Sequence, residues 1–283
     1  MENKIMISEQ LASFRAYLQD EERSEATVEK YLCEVTQFAA WLNDTEVTKS
    51  AVAEWKEHLL TSGYEPSTVN GKLTALDRFF DFMGWPDCKV KHLKLQRRLF
   101  RDDSRELTKA EYERLIATAE EMGKERLSLL MEAICGTGIR VSEVQYLTIE
   151  AAQQGKVEIY LKGKVRTILI PGKLCKKLLK YAKKHKIASG EIFLTRGGKS
   201  LSRKQIWAEM KALCKKAGVA PSKVFPHNLR HLFARTFYGL EKDIVRLADL
   251  LGHSSVDTTR IYTMETGDGH RLRLERVENL LMT

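Results

Sequence analysis

The 283-residue chain contains no run of eighteen apolar residues, and therefore no segment able to cross a bilayer as a helix. Its opening residues, Met1-Glu2-Asn3-Lys4, lack the pattern of a secretion signal. Cysteine is sparse and scattered: Cys33, Cys88, Cys135, Cys175 and Cys214 are odd in number and form no Cys-x-x-Cys pair. That argues against both a disulfide framework and a cysteine-rich zinc site. Reduced thiols in a cytoplasmic protein are the expectation. Internal repeats and low-complexity segments are absent as well. What remains is a chain with 43% hydrophobic and 30% charged residues, the balance of a soluble globular protein. Its length favours two domains over one.

The net charge of +9 becomes informative once it is located. Between Lys156 and Lys223 stand nineteen Lys or Arg residues against three acids, Glu158, Glu191 and Glu209. The rest of the chain, with 28 basic and 35 acidic residues, is mildly acidic. A basic excess confined to a quarter of the chain is the footprint of a polyanion-binding surface. The segment Lys176–Lys186 alone is equally compatible with a solvated helix face. No amphipathic stretch rich in exposed Trp or Phe suggests a membrane surface, so nucleic acid is the expected polyanion.

Residues 8 to about 85 carry helical periodicity throughout. Leu11, Phe14, Tyr17 and Leu18 follow the candidate cap Ser8, and a second helix opens at Thr27 with Tyr31, Val35, Phe38 and Leu42 inward. A third runs through Val52, Trp55 and Leu59 to Gly63, and a fourth from Pro66 to Gly84. Residues 1–86 thus form a helical domain, 87–106 a basic linker without apolar period, and 107–283 a second domain. Thr108-x-x-Glu111 has the form of a capping box opening that domain. Helices are expected to about Ala133, followed by a turn at Gly136-Thr137-Gly138. Alternation of Val157, Ile159 and Leu161 and then of Ile168 and Ile170 predicts a hairpin bent at Lys162-Gly163-Lys164. Helices return afterwards, with breaks near Gly190, Gly197-Gly198, Gly218, Pro221 and Gly252. The fold class is mainly α with a small β-sheet.

Four short stretches carry the chemistry. In Gly136-Thr137-Gly138-Ile139-Arg140-Val141-Ser142-Glu143, an arginine follows a tight turn, where a helix start could present free N–H groups to a phosphate. Alone, this stretch reads more readily as an ordinary turn with a surface arginine. In Pro226-His227-Asn228-Leu229-Arg230-His231, His227 and Arg230 share a helix face and could grip one phosphate. His227 and His231 lack the glutamate at position 228 and the further ligand that a zinc site would need, so no metal is assigned and His231 is read as structural. In Leu251-Gly252-His253-Ser254-Ser255, Gly252 is a helix C-cap signal and Ser254 or Ser255 a following N-cap, which puts His253 at a corner. The last stretch is Thr258-Thr259-Arg260-Ile261-Tyr262-Thr263. By itself Tyr262 would be a packing residue.

Together and in this order, the four stretches resemble the tyrosine recombinase (phage integrase) family, as do the nine-residue step from His253 to Tyr262 and, in the first domain, Ser24-x-x-Thr27-x-x-x-Tyr31 and Ser67-Thr68-Val69-Asn70. The resemblance spans nearly the whole chain. It implies a helical core-binding domain and a mixed α/β catalytic domain that clamp double-stranded DNA and exchange strands through a 3′-phosphotyrosine, without cofactor. It assigns Tyr262 as nucleophile, Arg140 and Arg230 as phosphate-binding arginines, and His227 and His253 as the two histidines. Lys162 is assigned as general acid, with Lys164 left open because the turn is shorter than the family's usual form, and Glu143 is expected to support Arg140. A tetramer on two DNA sites is implied. So is exchange of the tail after Tyr262 between subunits, with Val277, Leu280 and Leu281 as its apolar face beyond the flexible Gly267-Asp268-Gly269. The chain begins almost directly with core-binding helices, as in the simple type without an arm-binding domain, used in dimer resolution, inversion or some mobile elements. The alternatives are a type IB-like topoisomerase and a DNA-binding protein without catalysis.

Overall fold

A computed structural model describes residues 4–6, 8–95, 103–161, 164–253 and 255–263, together with the isolated positions 271, 275 and 278. Lys162, Gly163, Ser254 and the expected tail positions Val277, Leu280 and Leu281 lie outside this set, as does the side chain of Lys164. The chain divides into two compact units, residues 1–97 and 98–283.

The first unit is built from α1 (Ser8–Asp20), α2 (Glu25–Leu42), α3 (Lys49–Thr61) and α4 (Pro66–Met83). Phe14, Val35, Phe38, Val52, Leu73, Phe79 and Phe80 close its core, and edge-to-face rings such as Phe14 against Phe79, 5.3 Å apart, give it shape specificity. Helix α2 begins two residues earlier than expected, its cap falling at Ser24. Lys72 is buried but paired with Glu34 and hydrogen-bonded to Gln37, which makes its charge tolerable in the interior.

The second unit opens with the expected capping box. The Thr108 hydroxyl accepts from the Glu111 N–H and the Glu111 carboxylate accepts from the Thr108 N–H, starting α5 (Lys109–Glu121). Next comes α6 (Glu125–Thr137), which runs four residues past the expected stop near Ala133. Thr137 donates its hydroxyl to the Ala133 carbonyl, and Gly136 sits against Leu174, so tertiary packing carries the helix through a glycine that local propensity would spend on a turn. After a 3-10 turn (Val141–Tyr146) and α7 (Ile149–Gln154) come strands β1 (Lys156–Leu161) and β2 (Lys164–Leu169). They pair antiparallel, Val157 opposite Ile168 and Ile159 opposite Arg166. This is the only sheet among the described residues. The remaining helices are α8 (Gly172–Lys184), α9 (Arg203–Lys211), α10 (Cys214–Ala217), α11 (Pro226–Glu241), α12 (Ile244–Leu251) and α13 (Val256–Thr259), with Tyr262 ending a 3-10 turn (Arg260–Tyr262). Helices α6 and α11 pack at the centre. The architecture is mainly helical with one small hairpin, as the periodicities predicted. Among the described residues no helix is long and apolar enough to cross a membrane.

Candidate active site

The site is organised by the end of α12. Its C-terminus turns at Gly252 in the left-handed conformation (φ 61). The Gly252 N–H bonds to Asp249 O and the His253 N–H to Ala248 O. This is a glycine-capped helix end, and among the described residues no backbone donor serves the next three carbonyls. Each accepts from a different arginine. Arg166 Nη2 donates to Leu250 O at 3.2 Å, Arg230 Nη2 to Leu251 O at 2.6 Å and Arg140 Nη2 to Gly252 O at 2.9 Å. Carbonyls at the negative end of a helix are a natural anchor for cations, and here they hold three that would otherwise repel one another.

One buried carboxylate balances part of that charge. Glu143, only 3% exposed, accepts from Arg140 Nη1 at 2.8 Å and Arg166 Nη1 at 2.5 Å. It also takes the Arg140 backbone N–H at 2.9 Å. Burial pushes its carboxyl up, but the Arg140 hydrogen bonds and the nearby guanidinium charges outweigh that and hold it below the usual carboxylate range. The Arg140 N–H, one of the groups expected to be free for phosphate, is thus taken by Glu143. Three guanidiniums less one carboxylate leave two positive charges.

Arg230 is 2% exposed. Besides Leu251 it donates to Gly138 O and lies 3.2 Å from His253 Nε2. Burial, then Arg140 and Arg166, lower its pKa to about 10, so it remains protonated at neutral pH. The other nitrogen of His253 lies 2.8 Å from the Thr259 hydroxyl. His253 and His227 are both held down to about 4. Burial is the largest cause for each, followed by the Arg230, Arg140 and Arg166 guanidiniums at His253 and by His231, Arg230 and Arg140 at His227. His227 keeps one side open to solvent, and both rings are neutral at pH 7.

Tyr262 is 6% exposed and packs with Ala234, Leu247 and Leu251. Its ring lies 6.4 Å from His253, nearly parallel, and 5.2 Å edge-on from His231. Burial raises the phenol pKa, opposed chiefly by the positive charge of Arg230 and then by that of Arg140. The phenol is therefore protonated in the DNA-free protein. Five residues singled out from sequence, Arg140, His227, Arg230, His253 and Tyr262, thus come together around the α12 terminus, with Glu143 beneath them. A cleft of about 620 Å³ is lined by the first four of these and opens toward Arg203, Lys204 and Trp207 of α9. A larger cleft of about 890 Å³, running from Gly123 to Glu209, contains none of them.

Sequence reasoning missed three contributors. His231, read as structural, touches both Tyr262 and His227, the latter at 4.4 Å between ring centres. Trp207 is 49% exposed with Lys211 over its ring. Arg166 was the most detectable, since it shares the inward parity of Ile168 and Ile170, where a charge signals a buried partner. Among the described residues there is no cluster of three or more His, Cys, Asp or Glu side chains able to hold a metal.

Comparison with known proteins decides the family. Residues 105–267 match the phage integrase family, and residues 11–85 the phage integrase N-terminal SAM-like domain. The chain belongs to the phage integrase family. Among similar members of that family is the tyrosine recombinase XerA of Pyrococcus furiosus, 31% identical over 99% of both chains. XerA of Thermococcus kodakarensis is 30% identical over 96% of both. Among solved structures, a lambda integrase dimer bound to a core site aligns with a TM-score of 0.73 at 19% identity, covering 92% of this chain and 96% of that one. A XerH recombinase bound to its difH substrate gives 0.67 at 20% identity, covering 90% and 79%. At such identities these two structures speak to the integrase fold alone.

Proposed function

We propose that this protein is a site-specific DNA recombinase that cuts and rejoins double-stranded DNA through a 3′-phosphotyrosine at Tyr262. The observation that carries this reading is the cluster of Arg140, Arg166 and Arg230 on three successive carbonyls, with the Tyr262 ring packed beside it against Leu251 and stacked near His253. A phosphodiester carries one negative charge, and in-line attack builds a phosphorane with about two. The two net positive charges of the cluster match that phosphorane better than the ground state, and such differential binding is what accelerates the step. Arg140 and Arg230 engage the non-bridging oxygens, and their guanidinium forks need no reorganisation because the helix terminus already fixes them.

Tyr262 attacks phosphorus as its proton passes to His227, which is neutral at pH 7 and so able to accept it. The bond from phosphorus to the 5′-oxygen breaks, and Lys162 protonates the departing oxygen, with Lys164 as its alternative. His253 donates from Nε2 to a phosphate oxygen in the tautomer protonated there, with Thr259 donating its hydroxyl to Nδ1 and Arg230 Nη2 turned from the ring to the phosphate. The phosphotyrosine conserves the bond energy, so the 5′-hydroxyl of a partner duplex reseals the strand by attacking phosphorus and releasing Tyr262, without ATP.

Strand exchange requires several copies on two DNA sites, and we assign a tetramer in which the C-terminal tail reaches a neighbour. Supporting this, Leu240 (78% exposed) and Val245 (57%) are exposed apolar side chains where α11 passes into α12. The five free thiols suit a cytoplasmic location. The test is incubation of two differently labelled duplexes bearing the protein's selected site. Exchange of labels supports a recombinase; relaxation of supercoils with no exchange would make it a topoisomerase, and binding without cleavage a DNA-binding protein.

A further inference from the structure

We propose that Arg166 is a positioning residue for the cleavage step, acting through Glu143 to hold Arg140 and tying the β-hairpin to the arginine cluster. This rests on the recombinase reading above. Strand β2 points Arg166 inward, opposite Ile159, with its side chain 12% exposed. One arm of its fork grips Glu143 at 2.5 Å and the other Leu250 O at 3.2 Å. Its aliphatic stem lies under Gly252, where a Cβ would come within 2.5 Å of Arg166 Cδ. The absence of a side chain at residue 252 is therefore what admits Arg166 to the α12 terminus.

The geometry gives Arg166 two jobs. Without it, Glu143 loses one of its two guanidinium partners, and the carboxylate that aims Arg140 is held only by the backbone N–H and guanidinium of Arg140 itself. A misplacement of about 1 Å in a catalytic group can cost on the order of 10²-fold in rate. Arg166 also sits two residues beyond Lys164 on β2, so its anchor fixes the start of that strand relative to Glu143 and α12. Its charge bears on Arg230 and His253 as well.

The test is a double-mutant cycle on a suicide substrate, followed as single-turnover covalent-complex formation. Wild-type protein must first form the complex; if it does not, the recombinase reading fails and not the role of Arg166. Arg166→Met and Glu143→Gln are each expected to slow cleavage by roughly 10–100-fold, with the DNA dissociation constant within threefold of wild type. The double variant should be little slower than either single one, because both remove the same support. Arg166→Lys keeps the charge but not the fork, and should cleave at a rate between wild type and Arg166→Met; it also carries the test if the Met variant does not fold. An NMR titration of His253 should move upward in Arg166→Met and stay in place in Arg166→Lys. Wild-type cleavage by Arg166→Met, or by Arg166→Lys where only that variant folds, would overturn the proposal. Full multiplication of the single losses in the double variant would do so too.

Discussion

Gly138 is where backbone, packing and chemistry meet, so replacing it by alanine tests all three. The residue caps α6 in the left-handed conformation (φ 64). A Cβ there would stand 2.6 Å from Phe233 Cδ1, 2.8 Å from Cε1 and 3.2 Å from Leu251 Cδ2. Forcing an L-residue into that conformation costs about 1–2 kcal/mol, and overpacking adds about 1–3 kcal/mol. The sum, about 2–5 kcal/mol, lowers the Tm of a domain of this size by roughly 5–15 °C. The functional cost is separate, because the Gly138 carbonyl accepts from Arg230 and a displaced Phe233 pushes on that peptide. Gly155→Ala is the control: it has nearly the same backbone angle (φ +73) but nothing within 4 Å of the added carbon. It should lose only the conformational part, about 1–2 kcal/mol, and cleave at the wild-type rate. Thermal denaturation followed by circular dichroism, with single-turnover cleavage below both transitions, measures the pair. Equal melting temperatures and equal cleavage rates for the two variants would refute the steric argument.

Three further outcomes follow from the site. Because His253 titrates near 4 in the folded protein and near 6.5 unfolded, the unfolded chain binds more protons between those values; His253 therefore destabilises the fold as pH falls from about 6.5 to about 4 and adds no slope outside that window. Urea midpoints of wild type and His253→Gln across pH 4–8 check this: the wild type should fall further than the variant inside the window, and parallel curves would contradict it. Arg230→Lys keeps a charge but cannot serve Gly138 O, Leu251 O and the phosphate with one planar fork, so cleavage should drop by about 10²–10³-fold in a suicide-substrate assay. If Lys162 is the general acid, Lys162→Ala should fail on ordinary DNA yet cleave a substrate whose leaving oxygen is replaced by sulfur, which departs without a proton; rescue seen for Lys164→Ala instead would move the role to that residue.

Much of the fold was legible because it is set by local pattern. Apolar spacing at Phe14 and Leu18 or at Val35, Phe38 and Leu42 needs only a 3.6-residue period. Thr108 and Glu111 cap their helix through contacts three residues apart. The extension of α6 to Thr137 was not legible, because the packing of Gly136 against Leu174 joins residues distant in sequence. The site divides in the same way. Gly252 reads as a helix end from sequence, but nothing local says that its three neighbouring carbonyls collect Arg140, Arg166 and Arg230 from three other elements. Sequence order and family resemblance singled out Arg140, His227, Arg230, His253 and Tyr262; the contacts of Arg166 and His231 with them arise only in the tertiary structure.

The central claim is that the Tyr262 phenol, protonated at rest and flanked by fixed guanidiniums, becomes covalently joined to a DNA 3′-phosphate. Peptide mapping by mass spectrometry of the complex trapped on a nicked substrate in the presence of EDTA measures this directly. The expected result is a nucleotide adduct on the peptide carrying Tyr262, formed undiminished in EDTA and absent from Tyr262→Phe, which still binds the DNA. An adduct on any other residue, or one that survives in Tyr262→Phe, would contradict the account.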